Sequence, residues 1–556
     1  MRRILACIAL TGVTALAQTH QHAAPGAYKV DLAKVPSPQR LDGIGQSHIP
    51  ITTKSAEAQQ WFDQGLALLH CFWDYEELRA FHEAVQLDPD CAMCHWGLAQ
   101  ALDFNPANQE QAKQELQKAK ELAEHASDRE QRYIRAYTEQ QDKQGEEGEK
   151  AFTQEMEALI ARYPDDLQAK LLLAGSLIRG YDSKGDPNPG ALYGQALLRN
   201  VLQEFPMNAA ANHYWIHAVE GSDHPEWALE SAEKLGKLAP ASGHIVHMPG
   251  HIFYRVGDYE RARQIFLDAL KIDQEYMDQQ HVAIRDDWNY QHNLAYLIAA
   301  CAEEGRYAEA REHLKALAAA ASELDAANPV FLLQVGGSAI RLATRFGDWE
   351  EVLQQAKGFP EPEGNAAWAR GYRDGTLAYA GGMVAAESGQ LREAEKQSDV
   401  LDATLWRLSK EDVGSKNDRI RNRVVDNLAV SSLELRGNIA SRKSDFKMRE
   451  LLDDAVQKEK ELGYGEPPLY SHPALESLGH ALIRAAKFAD AREVFQKALI
   501  DRPHSGFALY GIAVAWDKEG NRGEAMKAYR AFLNAWAHAD SGLAQVKAAK
   551  EYLAIR

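Results

Sequence analysis

The sequence predicts an all-α protein built from helical hairpins that repeat along the chain, and three observations support this fold class. The 556 residues exceed the size of a single ordinary core, so we expect several domains or one elongated array. Ala, Leu, Glu, Lys, Gln and Arg dominate a composition with only 20 prolines, which favours helix, and strand-like alternation is scarce. Finally, similar turn motifs recur, with Ala491 and Ala525 at equivalent positions 34 residues apart.

The first 17 residues have the pattern of a secretory signal peptide. Arg2 and Arg3 precede an apolar run from 4 to 16, and small residues lead to a cleavage position before Gln18. We therefore expect an exported protein, periplasmic or secreted. No later apolar run is long enough to predict insertion into a membrane after the signal is removed.

Four regions follow the signal. Residues 18–54 lack helical periodicity and predict an extended lead-in. Turn motifs are clear in 55–320, the predicted N-terminal array, and in 466–556, the predicted C-terminal repeats. Insertions interrupt the pattern in 321–465, which we interpret as degenerate helical repeats. The clearest turns are Gly257, Tyr259, Ala262 and Gly305, Tyr307, Ala310, with looser copies at Gly347, Gly389 and Gly520.

These turns, their 34-residue period and the prolines that end repeats in Leu87–Asp90 and Asp501–Pro503 resemble the tetratricopeptide repeat (TPR). The resemblance implies stacked antiparallel helix pairs that form a superhelix, whose concave face is the usual binding groove. The order of LDPDCAMCHWG, NHYWIHAVE, HMPGHIF and GEPP further resembles exported, functionally uncharacterised bacterial TPR proteins. That likeness implies the fold but no activity.

Histidines recur with the period of the repeat. His213 and His217 are followed 34 residues later by His247 and His251. Histidines four residues apart share one face of a helix, as in zinc-binding HExxH helices, and neighbouring helix axes lie about 8 to 10 Å apart. Two such pairs on adjacent helices can therefore converge on one ion. We predict these four residues as ligands of a transition metal (Zn, Cu or Fe) in the concave groove.

Three further side chains extend this pattern. His244 and His292 share a register thirteen residues before the turn glycines Gly257 and Gly305, and we expect them as replacement ligands or outer partners. Glu220 follows His217 on the same helix face and is our candidate for a ligand or a catalytic base. The chemistry and the substrate stay open at this point, and so does the question whether the protein is an enzyme.

Two other functions compete with this hypothesis. The array would serve equally as a non-catalytic periplasmic scaffold that binds a protein or peptide in its groove. Cys91, Cys94 and His95 form a CxxCH sequence, the attachment pattern for c-type haem, although it opens a repeat helix where two buried thiols or a disulfide are the alternatives. A net charge of -18 argues against a nucleic-acid partner.

Overall fold

The computed structural model describes residues 29–182, 184–321, 332–360, 367–411 and 415–554. The predicted signal peptide at 1–17 lies outside these residues. Within them the chain forms helices and no strands, apart from an isolated β-bridge between Tyr181 and Pro187. The prediction of an all-α, TPR-like helical solenoid is confirmed.

The first part of the solenoid contains fourteen α-helices among the described residues. They are α1 (Ala56–His70), α2 (Asp74–Leu87), α3 (Ala92–Asp103), α4 (Gln109–Leu122), α5 (Asp128–Lys143), α6 (Gly145–Arg162), α7 (Leu167–Ser176), α8 (Ala191–Glu204), α9 (Ala209–Val219), α10 (Leu229–Leu238), α11 (Gly243–Arg255), α12 (Tyr259–Gln280), α13 (Trp288–Glu303) and α14 (Tyr307–Ala321).

The second part begins with a short π-helix, Leu332–Gly336, and continues with eleven α-helices in the described segments. They are α15 (Ser338–Arg345), α16 (Trp349–Lys357), α17 (Ala367–Glu387), α18 (Leu391–Lys410), α19 (Ser415–Arg442), α20 (Met448–Lys460), α21 (Ala474–Arg484), α22 (Phe488–Asp501), α23 (Gly506–Glu519), α24 (Arg522–Ala535) and α25 (Ala544–Ala554). Short 3₁₀ helices lie at Leu32–Lys34, Pro106–Asn108, Ala123–His125, Pro225–Ala228 and Ile284–Asp286.

The turn motifs fold as the sequence predicts. Their glycines have φ between 66° and 86°, a left-handed conformation that residues with a Cβ rarely adopt. The alanine five residues later is fully buried in the two clearest copies, Ala262 and Ala310, where the paired helices cross. The glycines with this conformation are Gly257, Gly305, Gly347, Gly389 and Gly520.

Helix α11 is held close to its partner α12 by a glycine. A Cβ at Gly250 would lie only 2.4 Å from the ring of Phe266, so the absence of a side chain lets this ring pack directly against α11. The Phe266 ring is fully buried and its centroid is 4.9 Å from that of His247. The helix continues through Pro249, which lies inside it.

The C-terminal end of the solenoid contacts the C-terminus of α13. The indole of Trp536 donates to the backbone carbonyl of Glu303 at 2.8 Å, and Asp540 N donates to the carbonyl of Gly305 at 3.0 Å. The C-terminal repeats therefore close against the middle of the chain. Among the described residues, no helix combines the length and apolarity needed to span a membrane.

Candidate metal centre

The first helices of three consecutive repeats, α9, α11 and α13, place six histidines in one region of the structure. Helix α11 lies between the other two and packs against both. Polar N-caps fix where each helix starts: Asn208 accepts from Ala211 N, Ser242 from Ile245 N, and Asp287 from Tyr290 N. The histidines are His213 and His217 on α9, His244, His247 and His251 on α11, and His292 on α13.

Cluster A, as we call it, consists of His213, His217 and His244. The Nε2 atom of His213 lies 3.1 Å from Nε2 of His217 and 3.1 Å from Nε2 of His244. All three imidazoles offer nitrogens within 4.8 Å of one another. Nitrogens bound at about 2.1 Å to a tetrahedral ion are separated by roughly 3.4 Å, so the group has nearly the size of a three-histidine site.

Cluster B consists of His247, His251 and His292. The Nε2 atoms of His247 and His251 are 2.5 Å apart, and all three residues offer nitrogens within 4.8 Å of one another. The ring centroid of His292 is 4.8 Å from that of His247 and 5.6 Å from that of His251. The two clusters adjoin on α11, where the stacked rings of His244 and His247 are 5.9 Å apart.

Glu220, directly after α9, joins the two clusters. Its Oε1 lies 2.6 Å from Nδ1 of His217 in cluster A, and its Oε2 lies 2.6 Å from Nδ1 of His251 in cluster B. Burial by itself would raise the pKa of this carboxyl, but the two imidazoles hold it well below its usual range. Glu220 is therefore ionised at neutral pH and accepts a hydrogen bond from each ring, which fixes both ring orientations.

Asp273 on α12 joins the same clusters from the other side through two asparagines. Asn289 and Asn293 donate their Nδ2 groups to the Asp273 carboxylate at 2.9 and 2.7 Å. Their Oδ1 atoms therefore point away from Asp273 and contact Nδ1 of His244, at 3.3 Å, and Nδ1 of His247. Because an amide oxygen can only accept, these contacts place the Nδ1 proton on both rings.

His213, the central residue of cluster A, is oriented by the backbone. Its Nδ1 lies 2.7 Å from the carbonyl oxygen of His70, at the end of α1. A carbonyl oxygen is also only an acceptor, so His213 carries its proton on Nδ1 and turns Nε2 towards the other two rings. Five of the six imidazoles thus have an acceptor at Nδ1 and present Nε2 to their own cluster.

Both clusters are enclosed. The ring of Phe72 covers cluster A, with its centroid 4.6 Å from His213 and 5.6 Å from His244. On the side of cluster B, Tyr296 OH lies 3.2 Å from Tyr464 OH, which donates to Glu220 Oε2 at 3.1 Å. The expected open groove is therefore closed over at this point by Phe72, just after α1, and by Tyr464 of the connector at 461–473.

The enclosure keeps the imidazoles of cluster B uncharged. Burial, reinforced by the neighbouring His251 ring, lowers the pKa of His247 and His292 well below its usual range. Burial also lowers the pKa of His251, although Glu220 opposes this shift. Neutral imidazoles retain the lone pair that metal coordination requires.

The grouping of the histidines differs from the expectation of one ion shared by His213, His217, His247 and His251. Cluster A takes His244 and cluster B takes His292, the two residues expected as replacements. The reason is the helical register on α11. His244 lies one turn before His247 and turns its Nε2 towards His213 on α9, whereas the rings of His247 and His251 lie against His292 on α13.

The CxxCH residues do not fit a covalently attached haem. Cys91 and Cys94 form a disulfide, so neither sulfur is available for a thioether bond, and both residues are fully buried. His95 is also buried, with Nδ1 2.5 Å from Glu115 Oε2 and Nε2 2.9 Å from the carbonyl of Pro89. The motif is instead a structural element at the start of α3, where Cys91 is the N-cap.

Sequence reasoning missed the residues that orient and cover the histidines. The acceptors Asp273 and Asn289 and the covering residue Phe72 carry no motif of their own. Tyr464 and Glu466 lie in the connector at 461–473, which contains the GEPP stretch, and a carboxylate oxygen of Glu466 lies within 4.8 Å of ligand atoms of Glu220 and His251. The GEPP stretch itself was the available signal, because its prolines predict a rigid segment.

Comparisons with known proteins are limited to the fold. No model of a protein family and no curated protein matches the chain. The human IFIT1 dimer solved with m7Gppp-AAAA is similar over 88% of this chain and 96% of that chain, at 13% identity and a TM-score of 0.36. Naa15/Naa10 bound to HypK-THB is similar over 89% of this chain and 90% of that one, at 12% identity and a TM-score of 0.24. At these TM-scores the likeness carries no inference about binding, and the expectation of no nucleic-acid partner stays a prediction from net charge.

Proposed function

We propose that this protein binds transition-metal ions at clusters A and B. The observation that carries the proposal is the convergence of three Nε2 atoms in cluster A while each ring has an acceptor at Nδ1. With the ring protons on Nδ1, three lone pairs face one another at about the distance of a hydrogen bond. Such an arrangement is repulsive without a cation and favourable around one.

The donor set favours particular metals. Imidazole nitrogen suits Zn, Cu, Fe and Ni, and three histidines with an open fourth position are typical of catalytic zinc. A metal ion bound in this way would supply Lewis acidity to a small ligand. Glu220 uses both carboxylate oxygens to orient His217 and His251, so we assign it an orienting role and not the proton transfer expected from sequence. Glu466 is a better candidate than Glu220 for holding a proton, because burial and the Glu220 charge raise the pKa of Glu466 well above its usual range.

We also propose that the protein is exported. The signal-type pattern of residues 1–17 supports this proposal, and the Cys91–Cys94 disulfide fits an oxidising compartment. The alternative role, a scaffold that binds a protein or peptide without chemistry, is equally compatible with the TPR-like fold. Metal content decides between the two functions.

Elemental analysis of untagged protein from a periplasmic fraction tests the proposal. We expect one equivalent of Zn, Cu, Fe or Ni per cluster, no haem absorption band, and restoration of the metal after removal by a chelator and dialysis. If the purified protein contains no metal and takes up none of these ions at micromolar concentration, the metal-binding function is overturned. The groove would then be tested as a partner-binding surface.

Replacing Gly243 by alanine is expected to weaken metal binding at both clusters. A Cβ at Gly243 would lie 1.6 Å from Oδ1 of Asp273 and 3.1 Å from Nδ2 of Asn289, so Asp273 must move and its bonds to Asn289 and Asn293 are lost. Loss of such outer partners lowers metal affinity about 10- to 100-fold. Competition with a chelating dye measures this change.

The matched control is Gly236→Ala on neighbouring α10. A Cβ there would meet its nearest atom only at 3.9 Å, so metal affinity should remain unchanged. Equal affinities for Gly243→Ala and Gly236→Ala would show that Asp273 does not orient the metal-binding rings.

A further inference from the structure

A short part of the lead-in, residues 39–45, runs from α1 to the starts of α9 and α11, and we call it the strap. Gln64 on α1 binds the backbone of the strap twice. Its Nε2 donates to the carbonyl of Gln39 at 2.9 Å, and its Oε1 accepts from Leu41 N at 3.1 Å. The strap therefore connects α1 to the two helices that carry the histidines of cluster A.

Two glycines let the strap lie closely against α9 and α11. Ala241 N, two residues before α11, donates to the carbonyl of Gly43 at 2.9 Å. A Cβ at Gly45 would lie only 3.1 Å from Cβ of Ala209, the first residue of α9. Both glycines have positive φ, 74° and 83°, and Ile44 between them is only 5% exposed. One buried side chain between two small residues is typical of a hinged segment.

The strap also contacts the residue that precedes the cover of cluster A. The Sγ of Cys71 donates to the carbonyl of Ile44 at 3.3 Å, and Cys71 is buried. Phe72, whose ring covers cluster A, has a φ of 53°, a left-handed conformation that costs energy for a residue with a Cβ. Such a conformation persists only where the surrounding contacts hold it. The bond between the strap and Cys71 is one of these contacts.

We propose that the strap is a gate that controls the exchange of metal at cluster A. This inference rests on the proposed metal-binding function. When the strap leaves its place, the backbone of Phe72 relaxes, its ring moves away, and an ion reaches the three Nε2 atoms. Local openings of this kind cost less free energy than global unfolding, so the gate operates in the folded protein. Cluster B is covered by Tyr464 of the connector instead, and its exchange is independent of the strap.

Replacing Ile44 by alanine tests the gate through a thiol, in a measurement that needs no metal. Loss of this buried side chain should raise the population of the open strap at least about tenfold. The thiol of Cys71 lies against the strap, so its reaction with a thiol reagent should accelerate by the same factor. Peptide mass mapping identifies the modified residue. Cys301, which is buried on α13, should react at its original rate.

Metal release is then measured for each cluster separately. His292→Ala protein is expected to hold metal at cluster A alone, and there the additional Ile44→Ala change should accelerate release to a chelator at least about tenfold. His213→Ala protein is expected to hold metal at cluster B alone, and there the same change should leave the rate of release unchanged.

The matched control is Ile49→Ala. Ile49 is also buried and belongs to the same lead-in. Residues 49–54, however, are held by the side chains of Gln59, Asp88 and Glu130, which lie on or beside α1, α2 and α5 and not on α9 or α11. This replacement should change neither the thiol reaction nor the release of metal.

Three results would overturn the gate in protein that binds metal and is shown by circular dichroism to be folded. The first is an unchanged reaction rate of Cys71 in Ile44→Ala. The second is a faster thiol reaction with unchanged metal release from cluster A. The third is equal acceleration by Ile49→Ala, which would mean that the whole lead-in detaches. Protein that binds no metal overturns the proposed function together with the gate, so the two failures are distinguishable.

Discussion

Replacing His213 by alanine is expected to remove the ion of cluster A and to leave cluster B loaded, so that bound metal falls from two equivalents to one. His213 is the residue whose Nε2 lies 3.1 Å from both other nitrogens of cluster A, and it makes no such contact with cluster B. A site left with two imidazoles loses most of its affinity. Elemental analysis after dialysis against a weak chelator measures the result.

The reciprocal change, His292→Ala, is expected to empty cluster B and to leave cluster A loaded. The matched control is His224→Ala. His224 lies four residues after Glu220, but it is exposed, stacks on Trp227 and pairs with Glu226. Its replacement should leave both equivalents in place. If His213→Ala and His292→Ala each remove all metal, the six histidines bind one shared ion or a coupled pair, and the division into independent clusters is wrong.

The fold was accessible from sequence because the repeat signal is local. The turn glycines require left-handed backbone and the alanines such as Ala262 require space at a helix crossing, so both types of residue recur with the repeat. The same periodicity placed His213 and His247 at equivalent positions of α9 and α11. Equivalent positions on stacked helices are necessarily near each other, which is why the histidines fall in one region.

The internal arrangement of the site was not accessible in this way. The choice between one four-histidine site and two three-histidine clusters depends on which neighbouring helix each histidine of α11 contacts. The repeat period does not predict these contacts. The covering residues come from distant parts of the chain. Phe72 precedes His213 by more than a hundred residues, and Tyr464 follows it by more than two hundred, so both reach the site only because the solenoid closes on itself.

The CxxCH sequence illustrates the converse case, in which a short motif left haem attachment, two buried thiols and a disulfide as alternatives, and the structure has the disulfide. Cys91 and Cys94 lie on the first turn of α3 and face the core, where the spacing of one helical turn suits a disulfide as well as thioether bonds. The third residue of the motif, His95, is buried and contacts Glu115. The packing of α3 against α4, which the motif does not encode, distinguishes a disulfide from haem attachment.

Replacing Arg345 by methionine is expected to lower the free energy of unfolding by about 3 to 5 kcal/mol, because it leaves Glu476 buried without its cation and leaves Glu303 with Arg502 alone. Arg345 at the end of α15 is 3% exposed in its side chain, and Glu303 and Glu476 are 2% and 5% exposed. The guanidinium makes paired bonds to both, at 2.8 and 3.1 Å in each case, and a further bond to Ser505 at 3.2 Å.

These bonds hold the closed form of the solenoid. Glu303 belongs to α13 and Glu476 to α21, so one guanidinium links the helix that carries His292 to the C-terminal repeats. Burial opposes the charge on Arg345, but the two carboxylates outweigh it and raise the pKa of Arg345 above its usual range. Arg345 is therefore charged at neutral pH, and its replacement removes this link between α13 and the C-terminal repeats.

Urea unfolding, followed by tryptophan fluorescence, measures the effect. Arg261→Met is the matched control, because Arg261 makes the same paired bonds to Glu233, at 2.9 and 2.8 Å, but the two side chains are 46% and 54% exposed. Its replacement should cost less than about 1 kcal/mol. Arg345→Lys keeps the charge without the planar fork and should fall between the two. Equal losses for Arg345→Met and Arg261→Met would mean that burial of the ion pair does not hold the C-terminal repeats against α13.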